Sequence, residues 1–366
     1  MIRELQAEYG ECFQTDQYGL PGVLKQIYSC YGDGFIFIID EWDCVFRIAK
    51  EQNEIQKIYL DFLRGPFKGA DYVELAYMTG ILPIKKYGEH KVNFAEGGKE
   101  GPLGGGSAIN IFDEYSMIDS KNLGEYFGFT VKEVQSLSQQ YDIPYSEIER
   151  WYDGYLLDEL HIYNPKSVVD VLLWKEFQSY WTGTETYEAL KFYIDMNFDG
   201  LKESIIEMLG NSHCKINTRK FQNDMTTFRT KDDILTLLIH LGYLGYLAYD
   251  KKDSTSFIPN LEITQEFLNV VDEPGWEGLT QALNRSEELL KSTWSLDSQA
   301  VADGVAAIHN ETASMLKYNN ENSLTCTVLM AYYSAKTYYL PPELSGKSKT
   351  DNMLPGSGSI PEIFFW

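Results

Sequence analysis

The sequence predicts an α/β domain that is followed by a mostly helical region. Three observations carry this prediction: a continuously apolar run at residues 35–39, a strand–helix–strand order over residues 35–80, and helical periodicity further along the chain. At roughly 150 residues per domain, a chain of 366 residues holds two or three domains. Hydrophobic residues make up 44% of the chain, which is enough apolar surface to form folded cores.

The predicted α/β part begins with a helix over residues 20–31, whose apolar side chains recur at helical spacing up to Gly32. Residues 35–39 then form an unbroken apolar strand, which is typical of a parallel sheet covered on both faces. A helix over about residues 51–63 and a second buried strand over residues 73–80 follow. This order favours a right-handed crossover between parallel strands.

The region after the α/β part is predicted to be helical around one hairpin. Thr130 and Glu133 have the spacing of a capping box at a helix start. Residues 234–241, which follow Asp232 and Asp233, have the pattern of a buried helix, and residues 242–260 alternate about a polar turn like a hairpin. A further helix begins near Leu261. Helix, hairpin and helix together resemble a winged-helix module.

Two segments are predicted to lie outside the cores. Residues 89–106 are rich in glycine and poor in apolar side chains, which predicts a flexible insertion. An amphipathic helical stretch over about residues 297–339 leads into a polar segment that ends in Ile363-Phe364-Phe365-Trp366. This apolar end has the pattern of a strand interrupted by the terminus, so we expect the chain to be incomplete.

Composition excludes several classes of protein. The chain carries 54 acidic and 31 basic side chains, a formal net charge of −23, which disfavours non-specific attraction to nucleic acid or anionic membrane. Any nucleic-acid contact would therefore need a local site. The sequence has no apolar run long enough for a membrane span and no secretory signal, so we expect a cytoplasmic protein. Its five cysteines are widely spaced and form no CxxC pair, which argues against a disulfide framework or a zinc ribbon.

The strongest local signal for chemistry is the acidic pair Asp40 and Glu41, directly after the first apolar strand. Parallel strands deliver such residues to the carboxyl edge of the sheet, where α/β proteins bind ligands. In nucleotide hydrolysis the first acid holds magnesium, usually through water, and the second polarises the attacking water. Thr79, at the end of the second strand, could lie beside Asp40 and sense a γ-phosphate. The alternatives are that the acids begin a loop capping the next helix and that Thr79 only closes a strand.

Two further carboxylates lie near the C-terminus. Glu321 occupies a predicted helix start and Asp351 a polar segment. Separated carboxylates followed by a Glu-x-Lys strand would form a magnesium-dependent phosphodiesterase site, although no Glu-x-Lys follows Asp351. Alternatively, Glu321 is a helix N-terminal charge and Asp351 a turn residue. His240 is predicted to be a core histidine rather than a base.

A set of phrases in order resembles one bacterial family, the AAA-ATPase-like proteins, which are predicted P-loop NTPases with a C-terminal PD-(D/E)XK-type nuclease domain. The resemblance runs from about Phe35 to the end of the chain. The phrases that carry it are FIIDEWD, RGPFKG, LAYMTGILPIKKYG, SAINIFDEYSM, EYFGFT, WYDGY, YNPKSVV, YWTGTETYE, KDDILTLLIHLGYL, IPN and YNNENSL.

The resemblance implies ATP and Mg²⁺ as ligands. Asp40 and Glu41 resemble the Walker B acids, so the metal would fall to Asp40 and water activation to Glu41. Thr79 resembles the strand-end position of the Thr-Gly-Ile segment. Glu321 and Asp351 resemble the early metal-binding carboxylates of the nuclease core. The Walker A segment and the Glu-x-Lys strand of the family have no match here, so we expect a fragment or degraded copy of such a protein.

The resemblance also implies three domains. They are a partial P-loop α/β domain with the Walker B half over residues 1–118, a helical region with the winged-helix-like module over residues 119–275, and a helical segment leading into a truncated nuclease core over residues 276–366. The expected function is ATP binding and hydrolysis coupled to a nucleic-acid transaction. The alternative is a non-catalytic module that binds DNA or a protein partner, including a second copy of the chain; no membrane partner is expected.

Overall fold

The chain forms two compact units in a computed structural model. Unit 1 comprises Met1–Ser116 with Lys220–Arg229, and unit 2 comprises Met117–Arg219 with Thr230–Trp366. The structure describes residues 1–13, 19–49, 52–81, 113–157, 159–181, 185–196, 198, 200–218, 221, 228–248, 254–271, 276–313 and 327–337. This part is mostly helical with small sheets, one of them parallel, which agrees with the predicted combination of an α/β part and a mostly helical region. None of its helices combines the length and the apolar character that a membrane crossing needs.

Unit 1 contains the predicted α/β elements. In chain order, its described elements are α1 (Ile2–Glu8), α2 (Leu20–Tyr31), β1 (Phe35–Ile39), α3 (Cys44–Ile48), α4 (Asn53–Phe67) and β2 (Val73–Met78). The predicted end of α2 is confirmed, because Gly32 stops the helix in the left-handed region with φ +82°. The helix expected over about residues 51–63 continues to Phe67, whose ring packs on Phe37 with centroids 5.0 Å apart.

Strands β1 and β2 pair in parallel, which confirms the expected pairing. A bulge interrupts the ladder at its start: Phe35 lies opposite Val73, but Ile36 lies opposite Leu75. Helix α4 covers one face of the pair together with Trp42 and Phe46.

The prediction that both faces of these strands are covered is wrong for the described residues. Ile36 and Ile38 are 64% and 75% exposed, and their partners Leu75 and Tyr77 are 53% exposed each. Alternate side chains point to opposite faces of a sheet, so α4 buries only every second residue. A continuous apolar run makes a strand suitable for burial on both faces, but it does not determine whether other elements pack against both of them.

Unit 2 is helical and carries two small antiparallel sheets. Its described elements are β3 (Phe129–Thr130), α5 (Val131–Tyr141), α6 (Tyr145–Tyr152), β4 (Tyr155–Leu157), β5 (Leu160–Tyr163), α7 (Pro165–Trp174), α8 (Glu185–Asp195), α9 (Leu201–Leu209), β6 (Cys214–Lys215), α10 (Lys231–His240), β7 (Gly245–Ala248), β8 (Ser254–Phe257), α11 (Leu261–Val271), α12 (Glu277–Trp294) and α13 (Ser298–Ala313). The strand orders are β3-β5-β4 and β6-β8-β7.

Local signals in the sequence locate several of these elements correctly. The Thr130 and Glu133 capping box is present at the start of α5, and Thr230 forms a second one with Asp233 at α10. The predicted hairpin is formed by β7 and β8, and α11 begins at Leu261 as expected. The insertion at residues 89–106, the hairpin tip and the chain after residue 337 lie outside the described residues.

The core of unit 2 surrounds α10. Residues 234–239 of this helix are all buried, as the sequence predicts. Burial of His240 lowers the pKa of its imidazole to about 4, so it is neutral at physiological pH. A separate apolar cluster joins α12 and α13 through Leu289, Leu290 and Ile308.

A close backbone contact ties β4 to the start of α11. Gly154 has φ +113°, and a Cβ atom built on it would lie 2.0 Å from the carbonyl oxygen of Pro259. This explains the glycine in the phrase WYDGY, since any side chain would both strain the backbone and collide with the IPN segment.

Replacing Gly154 by Ala should therefore destabilise unit 2 by about 3 kcal/mol, because the new methyl group meets backbone rather than a movable side chain. Denaturant unfolding of the full chain measures this change. Glu288→Ala, on the exposed surface of α12, is the control and should have little effect. Equal midpoints for the two variants would contradict the close contact.

Candidate functional site

The candidate site lies where β1 and β2 of unit 1 end. Asp40 follows the last residue of β1, and Thr79 follows the last residue of β2. The ladder continues past both strands, since the Thr79 amide donates to the carbonyl of Ile39 at 2.9 Å and the Trp42 amide donates to the carbonyl of Thr79 at 2.9 Å. The parallel pairing thus brings Asp40 and Thr79 to the same edge, as the sequence predicts.

Asp40 is held in one orientation through a single carboxylate oxygen. Its Oδ1 atom accepts a short hydrogen bond from the Thr79 hydroxyl and a second one, at 3.0 Å, from the backbone amide of Glu41. Its Oδ2 atom accepts none from the described residues, and the side chain is exposed. One oxygen is therefore fixed by the protein, and the other is open to solvent.

Glu41 occupies a strained backbone position. Its φ is +50°, in the left-handed region that glycine usually fills, at a cost on the order of 1 kcal/mol or more. The hydrogen bond from its amide to Asp40 offsets part of this cost. The strain turns the chain sharply after β1, and the Glu41 side chain is exposed beside Asp40.

A small hydrophobic cluster supports this turn from behind. Trp42 is buried against Phe46, with ring centroids 5.5 Å apart, and its carbonyl accepts a hydrogen bond of 2.8 Å from the Tyr59 hydroxyl. Gly80 packs directly on it: a Cβ atom at Gly80 would lie 2.5 Å from Trp42 Cδ1. The two strand ends are thereby locked together by packing as well as by hydrogen bonds.

Asp43 is a third acid at this edge that sequence reasoning missed. Its side chain is fully buried, and its Oδ1 atom lies 2.8 Å from the position of a Cβ atom at Gly80. It is the N-cap residue of α3, although its side chain makes no capping hydrogen bond. The available signal was its place in FIIDEWD, one residue after a tryptophan that packs inward.

These groups fit a magnesium ion held largely through water. No three His, Cys, Asp or Glu side chains converge on a metal position within the described residues, so a fully protein-bound ion is not supported there. Mg²⁺ commonly keeps several waters and takes one or two carboxylates together with phosphate oxygens. The open Oδ2 of Asp40 suits that mode of binding.

Glu321 and Asp351 lie outside the described residues, so the predicted nuclease site stays a prediction.

Comparison with known proteins yields one distant relative. No protein-family model matches the chain, and no solved structure matches it. The chain is 24% identical over 193 residues to an uncharacterized protein in the vnfD 5′ region of Azotobacter chroococcum mcd 1. The similar segment covers 50% of this chain and 32% of that protein, so the chain spans about a third of the relative's length.

We predict that Gly80→Ala destabilises unit 1 by about 1–3 kcal/mol, because the added methyl group collides with buried Trp42 and Asp43. Denaturant unfolding measures the loss. Gly10→Ala is the matched control, since a Cβ atom at Gly10 meets nothing within 4 Å. A loss no larger than that of the control would show that the strand ends are not packed as described.

Proposed function

We propose that unit 1 carries the metal-facing half of a nucleoside triphosphate site. The observation that carries the proposal is the pairing of Asp40 with Thr79 at the carboxyl edge of parallel strands, with one carboxylate oxygen fixed and the other exposed. Such an edge is where α/β proteins bind ligands. The resemblance to the AAA-ATPase-like family implies that Asp40 holds magnesium and that Glu41 activates water.

The alternative role of helix capping does not account for Asp40. The N-cap residue of α3 is Asp43, whereas Asp40 accepts its hydrogen bonds from Thr79 and Glu41. A capping residue would instead accept a bond from the first turn of the helix. The geometry of Asp40 therefore favours a role outside local helix stability.

Each residue has a distinct part in the proposed site. Asp40 would accept a hydrogen bond from a metal-bound water through Oδ2, while Thr79 and the Glu41 amide keep Oδ1 in place. Glu41 would take a proton from the attacking water. Thr79 is a positioning residue in this arrangement, since its hydroxyl donates to Asp40. Bound magnesium would neutralise charge on the transferred phosphoryl group.

The coupled nucleic-acid transaction remains a wider part of the same proposal. It rests on the family resemblance and on Glu321 and Asp351, the two expected nuclease carboxylates. The net charge of −23 means that any nucleic acid would have to be bound by a local site rather than by the chain as a whole.

A second candidate function is a non-catalytic binding module in unit 2. Val169, Leu173 and Trp174 of α7 are 41%, 61% and 68% exposed, and exposed apolar patches often mark protein interaction sites. The succession of α10, the β7–β8 hairpin and α11 along the chain resembles a winged helix. Because residues 234–239 of α10 are all buried, a protein partner is favoured over DNA reading by that helix. If the hairpin instead binds DNA, a gel shift should be observed that weakens with salt and that is lost when Lys251 and Lys252 are replaced.

We predict weak, saturable binding of ATP that requires magnesium, measured by titration calorimetry on the full chain. Asp40→Asn should weaken it at least roughly tenfold, which is about 1.4 kcal/mol, because the amide bears no charge and is a poor acceptor for a metal-bound water. Thr79→Val should weaken binding by a smaller factor, since it frees Asp40 to rotate without removing the carboxylate.

Asp33→Asn is the matched control, because it makes the same chemical change at the opposite, amino end of β1, where the side chain is also exposed. Binding unaffected by Asp40→Asn would refute the assigned role of this residue. Absence of any heat at millimolar nucleotide would favour the second candidate.

A further inference from the structure

Helix α11 of unit 2 carries two carboxylates in its buried face. Glu262 and Glu266 are both 0% exposed, and they lie four residues apart, so they share one side of the helix. Acidic side chains are almost never fully buried unless they are paired with a positive group. Their presence here therefore needs a physical account.

Glu262 binds two separate segments of the chain. Its carboxylate accepts hydrogen bonds from the Ser167 hydroxyl, at 2.7 and 3.0 Å to the two oxygens, and from the Tyr180 backbone amide at 2.9 Å. Ser167 belongs to α7, and Tyr180 belongs to the segment that follows it. Glu262 thus fastens α7 and the chain around residue 180 to α11.

Glu266 makes a similar link with one oxygen left over. Its Oε1 atom accepts a hydrogen bond of 2.5 Å from the Ser179 hydroxyl. Its Oε2 atom is buried and has no hydrogen-bond partner among the described residues. An ionised carboxylate with an unsatisfied buried oxygen is strongly disfavoured, whereas a protonated carboxyl group is much less costly.

Among the residues that the structure describes, the surrounding charges do not neutralise the pair. The ionisable groups that act on Glu262 are Lys166 and Glu266, and Glu262 acts in turn on the phenols of Tyr152, Tyr155 and Tyr180. Lys166 is the cation in this set, but its ammonium group is largely exposed and binds Asp170 at 2.5 Å. The tyrosines are neutral at physiological pH, since burial raises the pKa of each one.

Burial also raises the pKa of both carboxyl groups, that of Glu262 to about 7. A carboxyl group in the unfolded chain titrates near 4.3. The folded state therefore holds protons that the unfolded state has released between about pH 4.3 and pH 7. The contribution of these groups to the free energy of unfolding is therefore fully present below that window, and it declines as the pH rises through the window.

We propose that Glu262 and Glu266 form a proton-dependent latch, in which the pair retains at least one proton while α7 and the segment around residue 180 lie against α11. Loss of that proton leaves two negative charges on one buried helix face. The contacts to Ser167, Tyr180 and Ser179 then loosen, and this part of unit 2 opens at alkaline pH. The latch is independent of the proposed nucleotide site in unit 1.

The experiment compares thermal unfolding of the full chain from pH 5 to pH 8 in the wild type, Glu262→Gln, Glu266→Gln and Glu288→Gln. The glutamine side chains keep the size and an acceptor oxygen but remain uncharged. We expect the wild-type midpoint to fall by several degrees over this range, and the fall to be smaller in Glu262→Gln and Glu266→Gln. Glu288→Gln, an exposed change of equal charge on α12, should follow the wild type.

Infrared spectroscopy of the folded wild type supplies a second measurement that needs no variant. The carbonyl stretch of a protonated carboxyl group should be present at pH 6 and lost by pH 9. Absence of that band at pH 6, or equal pH dependence in all four proteins, would overturn the proposal. A midpoint that drops on adding a chelator would also overturn it, because a bound cation and not a proton would then neutralise the pair.

Discussion

The candidate site depends on the register of one parallel strand pair. At the bulge near the start of the ladder, Glu74 has no residue opposite it on β1, so the pairing register of β2 is shifted by one residue relative to β1. Because of this shift, the residue after Ile39 lies opposite the residue after Met78. Asp40 and Thr79 can then form their hydrogen bond, and the left-handed turn at Glu41 is stabilised by the same carboxylate. Without the bulge, Asp40 would face the apolar side chain of Met78.

The two units hold their acidic side chains in opposite environments. In unit 1 the protein binds one oxygen of the exposed Asp40 carboxylate through the Thr79 hydroxyl and the Glu41 amide, and it leaves the other oxygen without a hydrogen bond from the described residues. In unit 2 the protein withdraws Glu262 and Glu266 from solvent and supplies hydroxyl and amide donors. The first arrangement suits ligand chemistry. The second joins segments that are far apart in the sequence and makes their packing sensitive to protons.

Sequence reasoning succeeded where the decisive signal was local. Asp40 and Thr79 were identifiable because each is a polar residue directly after an apolar strand, and Thr130 because its capping partner lies three residues away. It missed Asp43, because the place of this residue after Trp42 indicates burial only once the inward packing of that tryptophan is known. It also missed Glu262 and Glu266, because acids within an amphipathic pattern ordinarily belong to a solvated face.

By itself the sequence determined the positions of the elements, since caps, turns and apolar periodicity act over a few residues. Tertiary structure alone decided which faces are covered. It buries every side of α10 and both acids of α11, yet leaves Ile36 and Ile38 of an equally apolar strand exposed. It also decided the contact of Gly154 with Pro259. Burial depends on residues that are distant along the chain. A local pattern of side chains does not indicate which of these residues will pack against it.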